Sequence, residues 1–556
     1  MRISDTADLW WKNAIVYCLD VETFLDTDGD GRGDLAGLTE RIDYLAGIGV
    51  TCLWLMPFYP SPNRDDGYDI TDYYGVDPRL GDHGDVAALI RTAKDRGMRV
   101  IVDLVVNHTS DRHPWFRSAR SSPDSRYRDF YVWREEKPDE PKAEVVFPDA
   151  EDSIWSWDDR AERWYLHHFY SHQPDLNIAS EAVRDEIAKI AGFWLALGVD
   201  GFRVDAVPFL LETGGIAGDV DLDPHGFLRD LRAFVARRSG HAVLLGEVNL
   251  PHDQLRGYFG EDGDELQMLF NFPLMQAMYL ALARRDATPL AAAIAETPRL
   301  SDECQFANFV RNHDELTLDK LTDEERREVF EAFGPDEDMQ LFGRGLRRRL
   351  PPMLDGDEQR IRLVYSLLFS LPGTPVLFYG EEIGMGEHLG VEGRMSVRTP
   401  MQWTDEPTAG FSSAAPSKLV RPIVEGRFGQ LGVNVAAQRR DPRSLLSWFE
   451  RMIRRRRETP ELGWGEPRVL DTDVPAVLAH RCDWEGRTVL AVHNLGAEPC
   501  VVHVDTGDAG AGARVEDMLD AGEGVIELEG DALELKLEGY AHRWYRLLPG
   551  GAPATP

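Results

Sequence analysis

Short apolar runs of strand length alternate with segments of helical spacing through most of the chain. Residues 14–18, 51–55, 99–104, 200–204 and 243–246 are β-branched or apolar runs, and 266–270, 306–310 and 375–378 carry the same pattern more weakly. Between them, 38–47, 86–97, 181–198 and 230–238 place apolar residues at helical intervals. Strands that alternate with helices predict parallel pairing through right-handed crossovers. Eight such units predict an α/β fold of the (β/α)8 TIM-barrel type. The alternative is an open doubly wound sheet, but no glycine-rich dinucleotide turn follows the first strand.

Three stretches break this rhythm. Residues 106–178 are rich in Trp, Tyr, Pro and Asp and too long for a plain loop, which predicts an inserted subdomain. Residues 315–355 form a charged helical segment that reads either as a lid over a site or as a solvated hairpin without a catalytic part. From 465 to 556 short alternating strands with Gly and Asp turns predict a small all-β domain. That leaves 1–105 and 179–464 for the barrel.

Composition narrows the partners. The chain has 556 residues, 96 acids against 61 bases and a net charge of −35. Such a surface repels nucleic acid and anionic membranes and suits a neutral ligand or bound cations. The start, MRISDTADLWWKN, has no apolar stretch of a secretory signal. No run approaches ~18 apolar residues, so no membrane span is expected. The five cysteines are odd in number and widely spaced, which reads as reduced core thiols in a cytoplasmic protein. Oligomeric state is left open.

Candidate chemistry gathers where strands end. GFRVDAVP (201–208) places Arg203 two residues before Asp205, on the same face of a strand. A guanidinium beside a carboxylate favours its ionised form, as in a nucleophile or in a buried structural ion pair. DLVVNHTS (103–110), LLGEVN (244–249) and FVRNHDE (309–315) follow three other strands. A single carboxylate there is commonly a helix cap. Four such motifs at matching barrel positions suit glycosidic bond cleavage, where one carboxylate attacks and a protonated one serves the leaving group. Asp205 then reads as nucleophile. Glu247 reads as acid/base, with Leu244, Leu245 and Val248 desolvating it. Asp314 would orient sugar hydroxyls, and His108 and His313 would hydrogen-bond the same ring.

These four motifs, in this order and spacing, resemble the α-amylase family of glycoside hydrolases (family 13) along nearly the whole chain. The resemblance implies a retaining mechanism, with Asp205 as nucleophile, Glu247 as acid/base and Asp314 as transition-state stabiliser. It also implies that 106–178 is domain B and 465–556 is domain C. SHQPDLN (171–177), RDDGYDI (64–70) and RTPMQW (398–403) resemble the branch that contains oligo-1,6-glucosidases and trehalose synthases. By that resemblance Asp65, Tyr68 and Arg398, with Arg203, His108 and His313, bind the non-reducing glucose of a short α-glucoside. The stretches 309–333 and 366–386 look most like trehalose synthases, which interconvert maltose and trehalose. The chain reads GEVN where such enzymes tend to read AEAN, so a hydrolytic exo-acting α-glucosidase is the alternative. A non-catalytic amylase-like binding protein is the remote reading, and the retained Asp205, Glu247 and Asp314 disfavour it.

Cations are expected at two places. DTDGDGRGD (26–34) sets Asp26, Asp28, Asp30, the Arg32 backbone and Asp34 at alternate positions, a spacing that suits Ca²⁺, with Mg²⁺ as the alternative. Position 12 of the loop is Gly37 rather than Glu, so the pattern is EF-hand-like outside an EF-hand. The resemblance to trehalose synthases implies a second site from Asn107, Asp175 and Glu212 with the backbone of Phe209 and Leu210.

Overall fold

Eight short strands close into one parallel barrel. They are β1 (Val16–Leu19), β2 (Cys52–Leu55), β3 (Arg99–Leu104), β4 (Gly201–Val204), β5 (Val243–Gly246), β6 (Met268–Phe270), β7 (Gln305–Phe309) and β8 (Thr374–Phe378). The ring runs in chain order and shuts where Val16 of β1 pairs with Val376 of β8. The computed structural model describes residues 9–139, 145–211, 223–506, 513–519, 525–528 and 532–548.

The pattern explains the closure. Every strand residue except Arg99 is buried, because helices cover the outside and side chains fill the inside, so these strands read as continuous apolar runs. Gly201 opens β4 at φ 148°, and a Cβ there would lie 2.2 Å from the Val243 carbonyl oxygen. No other residue fits that junction of β4 with β5. Helices return the chain between strands, for example His83–Asp95, whose start is fixed by an Asp82–Asp85 capping box.

Three antiparallel additions surround the barrel mouth or flank. Between β3 and β4, Trp133–Arg134, Trp155–Asp158 and Arg163–Leu166 form a three-stranded sheet with Arg163–Leu166 in the middle. After β7, Leu316–Thr317, Gln340–Leu341 and Gly345–Leu346 form another, with the helix Asp323–Phe333 inside the segment. From Glu466 on, a six-stranded and a two-stranded antiparallel sheet enclose their own apolar cluster. Trp544 ties this last unit to the barrel by donating from Nε1 to Ser366 Oγ at 3.1 Å. The cysteines are all free, four of them buried and Cys500 partly so. Among the described residues no helix is long and apolar enough to cross a membrane.

Candidate active site

The strand ends bring the expected carboxylates together around one arginine. Arg203, on β4, is almost completely buried, so protein groups meet its charge. Its Nη1 donates to Asp205 and, at 2.9 Å, to Asp103 Oδ1; its Nη2 donates to Glu247 Oε2 at 2.7 Å. Three carboxylates from the ends of β3, β4 and β5 are thus clamped by one planar fork. The chain turns sharply after Asp205, with Ala206 at φ 50°. An alanine is strained there, and the turn aims the Ala206 N–H at Glu247 Oε2, 3.3 Å away.

Asp314 follows β7 and is held by a second set of cations. It accepts from Arg394 Nη1 at 2.6 Å and Arg398 Nη2 at 3.0 Å, and lies 3.1 Å from His313 Nε2. The two sets are joined through Tyr68, whose hydroxyl donates to Asp103 Oδ2 at 3.1 Å and lies 2.8 Å from His313 Nε2. The Tyr68 and His313 rings stack at 5.6 Å.

Burial separates the titrations of these groups. It pushes Glu247 up to about 7, with help from the Asp205 and Asp314 charges and against Arg203. Burial likewise raises Asp205 to about 6, with Arg203 acting in the opposite direction, towards the ionised form. The same guanidinium is shared with Asp103, itself raised to about 6 by burial, and with Glu247. Asp314 goes the other way: although burial opposes it, His313, Arg394 and Arg398 hold it well below the usual carboxylate range. Burial also depresses His313 to about 4, so it is a neutral imidazole near pH 7.

A cavity of 580 Å³ opens above these groups. Asp65, Tyr68, His108, Asp205, Glu247 and Asp314 line one end of it. His108 sits there with Nε2 3.2 Å from the Tyr68 carbonyl oxygen. Arg398 and His313 lie beneath this floor rather than on it, completely or almost completely buried. Arg398 is spent on Asp66 (2.7 Å), Asp314 and the His313 carbonyl (2.7 Å). The arginine that does face the cavity is Arg394, four residues earlier, which links Asp314 to Asp65 at 2.5 Å. Asp65 also accepts from Gln173 Nε2 at 2.9 Å, inside the 171–177 stretch. Below them, Arg421 pairs with both Asp66 and Asp20.

The other end of the cavity is a polar wall that the motifs did not announce. Asn249, Thr317, Asp319 and Lys320 face it. Asp319 accepts from Asn249 Nδ2 at 2.9 Å and pairs with Lys320 Nζ at 2.9 Å, so the segment after β7 is pinned to the end of β5. Gly246, beside the acid/base candidate, has no bearing on this wall: a Cβ there would point at Leu266 and Leu269, 2.5 and 2.9 Å away in the core.

In the 26–34 loop, oxygens of Asp26, Asp28 and Asp34 lie within 4.8 Å of one another. Arg32 does not neutralise them but turns to Glu22 and Asp30, each at 3.6 Å. Asp30 is therefore engaged elsewhere, while three converging carboxylates fit a hard divalent ion. At the second place, Asp175 accepts from Asn107 Nδ2 at 3.2 Å and pairs with His168. The Phe209 ring stands 5.3 Å from that histidine, with Leu210 beside it in the helix Val207–Leu211. These contacts bring Asn107, Asp175 and the start of the Val207–Leu211 helix together. Glu212 lies outside the described residues.

Residues 20–332 and 347–465 match the family profile of the α-amylase catalytic domain. The chain belongs to the α-amylase family. Residues 486–546 match the C-terminal domain of sucrose hydrolase-like proteins. The trehalose synthase/amylase of Mycobacterium tuberculosis (strain H37Rv) is 44% identical over 503 residues, 89% of this chain and 84% of that protein. The trehalose synthase of Pimelobacter sp. (strain R48) is 41% identical over 560 residues, 98% and 97% of the two chains. Among solved structures, an inactive double mutant of MutB in complex with isomaltulose superposes with a TM-score of 0.77 at 28% identity, covering 97% of this chain and 99% of MutB. Glucosidase relatives in this family are more distant in sequence.

Proposed function

We propose that this α-amylase-family enzyme interconverts maltose and trehalose by moving a glucosyl group within one cavity. The observation that carries the reading is the cavity itself. Its lining combines Asp205, Glu247 and Asp314 with a pinned group of Asn249, Asp319 and Lys320 that can hold a second glucose. The 41–44% identity to trehalose synthases supports it.

The chemistry follows from the site. Asp205 Oδ attacks the anomeric carbon of the non-reducing glucose as the glycosidic C–O bond breaks. Glu247 gives its proton to the departing glucose oxygen, and the positive charge that develops on the ring faces the ionised Asp314. The freed glucose turns so that its own anomeric hydroxyl meets the ester. Glu247 takes that proton, the new C–O bond forms and the Asp205 ester breaks. Because Arg203 bonds both carboxylates, they sit side by side, which favours the closer retaining arrangement over one that holds a water between them. A glucose retained beside the ester acts at an effective concentration that water does not match. Hydrolysis is then a side reaction, and it becomes the main one in the α-glucosidase reading.

Product analysis tests this. Maltose incubated with the enzyme should give trehalose early, with a minor share of free glucose. Isotope-labelled glucose added to the mixture should enter the trehalose poorly. Glucose as the sole product would replace the isomerase reading with a hydrolytic α-glucosidase.

The same proposal places a Ca²⁺ ion, or Mg²⁺, in the 26–34 loop, held by Asp26, Asp28 and Asp34, and places the enzyme in the cytoplasm. The ion would neutralise the converging carboxylates and fix the chain that leads into the helix Leu35–Glu40, which Asp34 caps. An ion that binds only the folded state stabilises it by about 2.7 kcal/mol at a hundredfold excess over its Kd. A chelator should therefore lower Tm by about 2 °C, and Ca²⁺ should restore it. An unchanged Tm in calorimetry with and without Ca²⁺, after exhaustive chelation, would count against the ion.

A further inference from the structure

Asp65 and Tyr68 both line the cavity, and one tight turn delivers them. The Tyr68 N–H donates to the Asp65 carbonyl at 2.9 Å, so Asp66 and Gly67 are the central residues of a β-turn. Both stand at positive φ, 50° and 92°. Gly67 lies against Pro57, where a Cβ would come 2.7 Å from the carbonyl oxygen. Asp66 is the member that carries a side chain in the left-handed region, at a steric cost that outside contacts must offset. Its buried carboxylate does not line the cavity. Arg398 Nη1 donates to its Oδ2 at 2.7 Å, and Arg421 Nη2 donates to its Oδ1.

Arg398 is placed by the site itself, through Asp314. Arg421 touches no residue that faces the sugar cavity by these bonds. Its Nη1 donates to Asp20 Oδ2 at 3.0 Å and to the Arg398 carbonyl at 2.9 Å, and its Nη2 lies 3.7 Å from Glu22. Asp20 follows β1, Asp66 follows β2 and Arg398 follows β8, three neighbours in the ring. One buried guanidinium therefore ties together the loops after three adjacent strands. Asp20, Glu22 and Asp66 bring carboxylate oxygens within 4.8 Å of one another, and Arg421 supplies the positive charge among them. Although burial opposes it, Arg421 and Arg398 lower Asp66 to about 2, so this clamp stays charged through the neutral range. A lysine could supply the same charge, but only the planar fork bridges Asp66, Asp20 and a carbonyl at once.

We propose that Arg421 is a positioning residue for the non-reducing glucose: by holding Asp66 to the loops after β1 and β8, it fixes the turn that presents Asp65 to the sugar. The inference rests on the α-glucoside reading of the cavity and not on the choice between transfer and hydrolysis. Asp65 takes no part in the bond exchange, so its contact with the sugar is made before and during the reaction alike. Loosening it should cost binding more than turnover.

Arg421→Lys tests the fork while keeping the charge. The substrate is 4-nitrophenyl α-glucoside, whose only sugar is the non-reducing glucose. KM should rise about tenfold, the worth of one hydrogen bond to a charged group, while kcat stays within about threefold. Asp66→Asn should do the same, because asparagine keeps the positive φ of the turn but loses the charge that Arg421 grips. In an Asp65→Ala background Arg421→Lys should add less than about twofold to KM, since the positioned residue is gone. A merely structural arginine would cost the same in both backgrounds. Unchanged KM in Arg421→Lys with a wild-type melting curve, or a tenfold rise repeated in the Asp65→Ala background, overturns the inference. Should Arg421→Lys fail to fold, Asp66→Asn decides by the same two readings. A wild type inert on maltose and on the aryl glucoside alike would remove the glucoside reading and this inference with it. A wild type that acts, with KM unmoved in the variant, removes this inference alone.

Discussion

Asp205→Asn should lose at least about a thousandfold in turnover, on maltose and on activated aryl glucosides alike. An amide oxygen is no nucleophile at the anomeric carbon, and no other carboxylate is placed to take over. Asp103 is completely buried below Arg203, Glu247 must deliver the proton, and Asp314 is spent on Arg394 and Arg398. The fold should survive. Asparagine has the same shape, and Arg203 keeps Asp103 and Glu247 as partners. One of several crowded negative charges is removed, so Tm should equal or exceed that of the wild type. Steady-state rates with both substrates, beside a melting curve, check this. Activity within tenfold of the wild type, with deamidation excluded by mass spectrometry, would remove Asp205 from the role.

Both substrates failing together is the signature that separates Asp205 from Glu247, whose loss spares substrates with activated leaving groups. It also bears on the raised pKa of Asp205. Burial and the neighbouring Asp103 and Asp314 charges push Asp205 up to about 6, which still leaves it mostly ionised at neutral pH. The site holds three carboxylates on one guanidinium, so it cannot keep all of them charged at little cost. One of them is expected to carry a proton at neutral pH, and Glu247, raised furthest of the three, is the one that can use it.

Much of the fold was legible because a parallel barrel buries its strands on both faces. Runs such as 99–104 and 243–246 therefore show in the sequence as mainly apolar segments, and β3 and β5 sit on them residue for residue. The carboxylates were legible for a related reason: Asp205 and Glu247 directly follow their strands, so their common location comes from strand order alone. The residues that sequence reasoning missed act across long separations. Arg394 meets Asp65 from 329 positions away, and Arg421 meets Asp66 from 355. No local spacing announces such pairs. Arg398 was read as a sugar ligand because its motif is distinctive, yet the structure spends it below the floor on Asp66 and Asp314. The nearest available signal was the first arginine in GRMSVR, four positions before Arg398. The Asp319–Lys320 wall was equally hidden, since a charged helical segment reads as solvated until its partner Asn249 is placed opposite.

Glu247→Gln should divide substrates by leaving group. Maltose needs a proton on the departing oxygen, so its rate should fall by about 10²–10⁴-fold, the usual worth of a general acid. A 2,4-dinitrophenyl or fluoride leaving group departs without one, so formation of the Asp205 ester from such a glucoside should change by less than about tenfold. The pH profile carries the same assignment with a definite sign. Glu247 works protonated and is pushed up to about 7, so kcat/KM for maltose should fall as pH rises through 7. Asp205 works ionised and is pushed up to about 6, so kcat/KM should fall as pH drops through 6. The two limbs leave a narrow bell, and because the groups interact its apparent pKa values belong to the pair. Glutamine at 247 has no proton to lose, so with an activated glucoside the alkaline limb should vanish while the acid limb, owed to Asp205, remains. Equal losses on both substrate classes, or an alkaline limb that persists in the variant, would show that another group supplies the proton.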